Sequence, residues 1–550
     1  MRAIEREGRR VLDSAREGRR RRAERRAAGS RWSTLRWRLA CLPAGAAPIL
    51  TFPRADLGWL AWVVLVPGML LIRSATSVRE AAIRGWWFGA GYLLAALYWT
   101  VPNIGPGLPL IALVFGAMWA GWAAAVRWLV PARPLAALLV VPSVWLVIEL
   151  VRSWPRLGGP WALIGASQWR HPAVLGLAAV GGVWLVSFAI VAANTAIAVA
   201  VLSRAGRVRA VALACAAACA AAGPLAYAAR DDPAAVRELR VALVQPGVVD
   251  GPEARLAAGE RITAALPPAD LVVWGESSVG YDLRRRDDVA ARLTALAARS
   301  DVLVNEDARD AGERISKSTV LIGRNGPGAR YVKTRLVPFG EYIPFRSRLG
   351  WLSRISGAAG EDRVPGTGAE TMRAGGVTIG PLICFESAFP DLGRAAVRRG
   401  ARVLVYQSST STFQKSWAPP QHASLAALRA AETGRPAVQA ALTGVSAAFD
   451  ARGRRLAWTD TDQRGSTLVT LPVPADASRT PYDRFGDYTA YLAVLTTVGA
   501  AAAAVRISAS RRRPRPVRWS SESDERCAPR GRAFGEQGSH GGASGADDAE

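Results

Sequence analysis

Three side chains in this 550-residue chain have the types and settings for nucleophilic chemistry: Glu276, Lys333 and Cys384. Cys384 closes the apolar run Gly380-Pro381-Leu382-Ile383 and is followed by Phe385-Glu386-Ser387. It is the one cysteine between Val236 and Thr480. A lone thiol has no disulfide partner within that stretch, so it is either core packing or a nucleophile. A nucleophilic thiol needs a base or a cation beside it. The chain has three histidines, His171, His422 and His540. Of these, His422 starts a helical pattern and offers a Cys/His dyad as one option. A carboxylate takes the base role where burial raises its pKa. Glu276 follows the apolar run Leu271-Val272-Val273-Trp274 and is the natural carboxylate, its alternative being a turn or helix-start acid.

Lys333 stands out by composition. Lysine and arginine total 70, yet only Lys317, Lys333 and Lys415 are lysines. In so Arg-biased a chain, a lysine before Leu336-Val337-Pro338-Phe339-Gly340-Glu341-Tyr342 suggests a compact point charge where a planar fork will not serve. The alternative is a surface lysine. Each of the three residues follows a strand-like run, where side chains face a loop-built cleft.

The elements that must position them fall into two kinds. Half the residues are hydrophobic, mean hydropathy is positive and the formal net charge is +26. Together these suggest a membrane protein with basic flanks rather than a nucleic-acid binder. From Arg2 to Arg38 there are 14 arginines against 5 acids. Seven apolar segments precede Val236: Leu35–Phe52, Leu57–Ile72, Ala82–Val101, Leu108–Val130, Leu135–Val151, Val174–Leu202 and Val208–Ala228. An eighth runs from Tyr488 to Val505. Their lengths predict about eight transmembrane helices. Arg73, Arg79 and Arg84, Arg127 and Arg133, and Arg204, Arg207 and Arg209 occupy alternate loops. Arg152, Arg156 and Arg170 are a mild exception. By the positive-inside rule both termini are cytoplasmic and the large soluble region is extracytoplasmic. Cys215 and Cys219, spaced i, i+4 among alanines, read as helix packing rather than a metal site.

The expected organisation is therefore a basic disordered tail over 1–34, a membrane domain over 35–230, a soluble domain over 236–480, a last helix over 488–505 and a second basic disordered tail over 506–550. Strand-length runs at Arg240–Gln245, Leu271–Trp274, Val302–Asn305, Thr319–Ile322, Val377–Cys384 and Val403–Tyr406 alternate with helical patterns at Asp287–Arg299, Pro390–Arg399 and Leu425–Glu432. That alternation predicts an α/β domain with its sheets covered by helices.

Glu276, Lys333 and Cys384, in this order and these contexts, resemble the Glu-Lys-Cys triad of the nitrilase (carbon–nitrogen hydrolase) superfamily. Such a domain between seven helices and an eighth resembles the bacterial apolipoprotein N-acyltransferases. The most specific pieces are Lys333 through Tyr342 and Ile383 through Glu386. Gln421-His422, Arg429 through Pro436, and Gly159-Pro160-Trp161 to Ser167-Gln168 also match. The resemblance implies an αββα sandwich and a multi-pass protein of the cytoplasmic membrane that needs no cofactor or metal. It implies a phospholipid acyl donor and a diacylglyceryl apolipoprotein acceptor, set among membrane lipids. It implies a thioester on Cys384, with Glu276 moving the proton and Lys333 holding the oxyanion beside a backbone N–H near Cys384. Glu341 and Glu386 then take orienting roles.

The chain departs from that pattern at Phe385, where a tyrosine is common, and at Gln407 through Phe413, where an Asn-Asp-aromatic stretch is usual. A tryptophan often found after the first strand is absent from Pro246 through Asp250. Two rival readings keep the same residues: a membrane-tethered amidase or hydrolase in which water replaces the amine, and a non-catalytic lipoprotein-binding paralogue.

Overall fold

The structure, a computed structural model, describes residues 34–309, 314–354, 360–475 and 479–512. The expected tails 1–34 and 506–550 lie almost wholly outside the described residues. The exceptions are residue 34, in a helix over 34–46, and residues 506–512, which continue the last helix, Tyr488–Arg512, beyond its expected end at Val505.

Alternation in the first strand sets the layers. In β1 (Ala235–Gln245), Leu239, Val241 and Leu243 join the core shared with the second sheet. Ala242 and Val244 instead pack with the residues under the helices Pro252–Ala264 and Asp287–Leu296. Successive side chains of a strand face opposite sides, so a strand buried on both faces demands a layer on each. The remaining strands are β2 (Leu271–Trp274), β3 (Asp301–Arg309), β4 (Ile315–Gly323), β5 (Gly326–Val332), β6 (Met372–Ala374), β7 (Val377–Ile383), β8 (Val403–Ser408), β9 (Ala437–Ala441), β10 (Ala447–Phe449), β11 (Arg455–Trp458) and β12 (Gly465–Pro474). They form two six-stranded sheets, ordered β12-β1-β2-β3-β4-β5 and β11-β10-β9-β8-β7-β6. Each has a parallel centre, β1-β2-β3 and β7-β8-β9, flanked by antiparallel strands. Helices Pro390–Arg398 and Ala418–Thr433 pack against the second sheet. This is the expected αββα sandwich.

Among the described residues, five helices are long and apolar enough to cross a membrane: Gly107–Ala132, Pro134–Arg152, Pro172–Leu202, Gly206–Ala228 and Tyr488–Ile507. The expected count of eight is not confirmed. The segment Leu35–Phe52 is a short helix over 34–46 and a 3-10 turn, Ala47–Thr51, that takes in Pro48. The segment Leu57–Ile72 divides into a turn, Gly58–Trp62, and the eight-residue helix Val66–Arg73. Ala82–Val101 lies mostly in Val78–Leu97, whose Glu80 pairs with the partly exposed Arg38 (2.6 Å) and the buried Arg84 (3.2 Å).

The helix Pro172–Leu202 breaks at Gly181–Gly182 and there meets the sandwich. Its Val183 N–H donates to Glu432 of the helix Ala418–Thr433 at 2.9 Å. Gly182 (φ +70°) lies under Tyr482, so close that an added Cβ would meet the ring at 2.5 Å.

Candidate active site

β2 ends at Trp274, and the chain turns through Gly275 to reach Glu276. A Cβ at Gly275 would sit 1.9 Å from the Leu442 backbone nitrogen, so only glycine lets the end of the first sheet approach the second this closely. Glu276 N–H donates to Ser408 O at 3.1 Å, and Ser277 N–H to Asn305 Oδ1 at 2.8 Å. Gln407 completes the clip, its Nε2 donating to Trp274 O at 2.9 Å and Leu303 O at 3.2 Å. The departure at Gln407-Ser408 thus binds the two sheets and fixes the base of Glu276.

β5 delivers Lys333, which is fully buried. Its Nζ lies 3.2 Å from Glu276 Oε1 and 2.9 Å from Glu341 Oε1. Glu341 Oε2 accepts the Val337 N–H at 2.9 Å, which folds the loop after β5 onto the lysine. Burial alone would lower the Lys333 ammonium, but the carboxylates of Glu276 and Glu341 outweigh it and raise it. Glu276 is the mirror case. Burial would raise its carboxyl, yet Lys317 and Lys333 hold it below the usual carboxylate range.

β7 stops at Ile383, one residue earlier than expected, because Cys384 opens a 3-10 turn with φ +51°. A non-glycine residue in the left-handed region is strained and is held there by its surroundings. Glu386 supplies the hold. Its Oε2 accepts the Ile383 N–H at 2.7 Å. Its Oε1 accepts Tyr331 Oη–H at 2.8 Å and the N–H groups of Thr334 (2.6 Å) and Arg335 (2.9 Å). One carboxylate therefore ties the turn of Cys384 to the loop of Lys333. The half-buried Cys384 thiol shares the wall of one cavity with Glu276, whose carboxylate charge acts on it. Burial and then the Glu276 charge push it up to about 12, with Lys333 opposing.

His422 lies at the same site, held by partners other than Glu276. Its Nδ1 is 2.9 Å from Gln439 Oε1 and 3.4 Å from Ser408 Oγ, and burial lowers the ring to about 4. The structure thus brings Glu276, Lys333, Cys384, Glu341 and Glu386 together. Sequence reasoning missed Lys317 of β4, whose Nζ is 2.9 Å from Glu276 Oε1. The available signal was that it is one of three lysines.

Cys384 forms part of the wall of two cavities. One, about 430 Å³, is lined by Glu276, Lys317, Lys333 and Glu341. The other, about 340 Å³, is lined by Leu97, Trp99, Phe115 and Trp161 from the helical part and by Phe345 and Phe385 from the sandwich. Gly159 (φ +75°) lies against Phe385 and Phe389, where a Cβ would meet their ring carbons at 2.7 and 2.8 Å. Phe385 packs edge-on against Phe389 at 5.1 Å, an apolar setting that gives a phenolic hydroxyl no evident role.

Residues 198–481 match the carbon-nitrogen hydrolase family, and residues 44–196 match the apolipoprotein N-acyltransferase N-terminal domain. The fold and the first of these matches place the chain in the carbon–nitrogen hydrolase family. Apolipoprotein N-acyltransferase from Geobacter metallireducens is 30% identical over 503 residues, covering 85% of this chain and 95% of that protein. The Pseudomonas putida protein of that name is 31% identical over 454 residues, covering 76% and 87%. Among solved structures, a carbon–nitrogen hydrolase from Helicobacter pylori aligns at 16% identity and a TM-score of 0.32, over 43% of this chain and 89% of that one. The chain belongs to the apolipoprotein N-acyltransferase family, and with its apolar helices it is a membrane protein.

Proposed function

We propose that this protein moves an acyl chain from a membrane phospholipid to the N-terminal α-amine of an S-diacylglyceryl-cysteine apolipoprotein through a thioester on Cys384. The observation that carries this reading is the position of Cys384 between a cavity of paired charges and an apolar one. A hydrolase of small polar amides would have no use for the second.

In this reading Glu276 takes the Cys384 proton, and the sulfur attacks the sn-1 ester carbonyl. Lys333, held between Glu276 and Glu341, faces the negative charge that develops on the carbonyl oxygen. As the tetrahedral state collapses, the C–O bond breaks and Glu276 returns the proton to the departing lysophospholipid. The acceptor amine then attacks the thioester carbonyl and loses a proton to Glu276. The C–S bond breaks, and Cys384 is reprotonated. Glu341 and Glu386 touch no reacting atom and act by orienting Lys333 and the Cys384 turn.

The same reading divides the chain into a membrane domain over 35–230 and a catalytic domain over 236–480 on the extracytoplasmic side, with both termini cytoplasmic. The arginines of alternate loops support that sidedness. Incubation of the purified protein with phospholipid and a diacylglyceryl peptide tests the activity. N-acylated peptide and lysophospholipid are expected in equal amounts, and neither with Cys384→Ala. Free fatty acid without acylated peptide would mean hydrolysis, and no product of either kind would overturn the enzyme reading.

A further inference from the structure

The proposed mechanism uses one lysine, yet two reach the base. Lys317 Nζ is 2.9 Å from Glu276 Oε1 and 2.8 Å from Ser277 Oγ, and the residue is 8% exposed at the wall of the polar cavity. It stands beside Lys333 because β4 and β5 are antiparallel neighbours, and Lys333 N–H donates to Lys317 O at 2.9 Å. The bonds from both ammonium groups fall on Oε1 of Glu276.

A purely structural lysine here would need one acid of its own. The other candidate is Asp307 of β3, at 3.8 Å, and Asp307 is already paired to Arg363 at 2.8 Å. Arg363 also lies 4.0 Å from Glu341. Three cations (Lys317, Lys333, Arg363) therefore face three carboxylates (Glu276, Glu341, Asp307). The neutral ring of His422 and the thiol of Cys384 complete the surroundings of Glu276. Moving the thiol proton onto Glu276 keeps this cluster balanced. Deleting Lys317 leaves an excess negative charge that disfavours both the ionised base and the thiolate.

We propose that Lys317 is a positioning residue for Glu276, pinning Oε1 so that Oε2 receives the thiol proton and keeping the carboxylate ionised as the base. This inference rests on the reading of Glu276 as the base for Cys384, so its test must separate the two.

The rate of Cys384 alkylation by iodoacetamide serves that purpose, because it needs no lipid substrate. It is measured on the full-length protein in detergent from pH 4.5 to 9, by mass spectrometry of the Cys384 peptide. In wild type the rate holds a plateau toward the acid end of the range. In Lys317→Met the plateau ends at a pH at least about one unit higher, a tenfold change in proton concentration. Lys317→Arg restores the charge and returns the acid limb to the wild-type position, whatever its effect on the absolute rate. Lys317→Gln, closer in shape and polar, repeats the measurement should the methionine variant not fold. A Lys317→Met or Lys317→Gln profile parallel to wild type, slowed or not, overturns the inference. Glu276→Gln is the control: it abolishes the plateau if Glu276 is the base. A wild-type profile in Glu276→Gln sinks the base assignment and this inference with it.

Discussion

The carboxylate of Glu386 accepts the main-chain N–H of Thr334 at 2.6 Å, although 52 residues separate them. The bond joins the turn that presents Cys384 to the loop that presents Lys333, one from each sheet. Because Tyr331, Arg335 and Ile383 donate to the same carboxylate, the spacing of nucleophile and cation depends on an acceptor-only side chain.

Glu386→Gln should therefore be damaging despite its shape. One amide hydrogen must then face an N–H that had faced an oxygen, leaving a buried donor unpaired at about 1–3 kcal/mol. A loss of turnover of at least about tenfold follows, with a lowered Tm. Tyr331→Phe removes one donor and leaves the others, so it should cost less on both measures. Equal losses in the two variants would contradict the account of Glu386.

Lys333→Arg keeps the charge and should still reduce turnover by about 100-fold or more. The site gives Lys333 Nζ two carboxylates in a fully buried space, and a guanidinium is too wide to meet both. Turnover and thermal unfolding measured together separate loss of chemistry from loss of fold. Near-normal turnover would remove the argument for a point charge.

His422 makes the pH dependence diagnostic. Its ring is lowered to about 4 from 6.5, so it is neutral through the working range, and no limb near pH 6.5 is expected in the rate profile. The sign for stability follows from the same shift. Between those values the unfolded chain binds the extra proton, so stability falls as pH drops from 6.5 toward 4, by up to about 3 kcal/mol. His422→Gln should flatten that decline and leave the rate profile's shape intact. A rate limb near 6.5 that disappears in His422→Gln would instead establish a Cys/His pair.

Gly275→Ala should disrupt the junction of the sheets. The added Cβ meets backbone, the Leu442 nitrogen, at 1.9 Å, and backbone cannot rotate away. Destabilisation of about 1–3 kcal/mol or more is expected, with turnover lost in step with Glu276 placement. A soluble, fully active Gly275→Ala protein would contradict the close approach.

Much of this was legible in the sequence because Glu276 and Cys384 each follow an apolar strand rich in β-branched residues, while Lys333 was marked out as one of three lysines. All six strands read from such runs are present. The strands that escaped lack that signature or are interrupted by proline. β9 is Ala437-Val438-Gln439-Ala440-Ala441, β5 opens with Gly326-Pro327-Gly328, and β12 contains Pro472. Glu341 and Glu386 came from resemblance alone, since nothing local distinguishes an acid that binds backbone N–H groups from a surface acid. Lys317 was hidden inside β4, where a polar residue in an alternating run reads as facing solvent. The expected count of eight membrane helices is not confirmed, because hydropathy does not register the turn at Pro48 or the division of Leu57–Ile72 after Trp62.

In the proposed reaction Cys384 carries the acyl chain. Wild-type protein incubated with phospholipid alone, then digested and weighed by mass spectrometry, tests it most directly. The Cys384 peptide should gain an acyl mass that hydroxylamine removes and that disappears, as N-acylated product forms, when a diacylglyceryl peptide is added. Formation of that product by a Cys384→Ala protein, or an acyl adduct on another residue with none on Cys384, would contradict it.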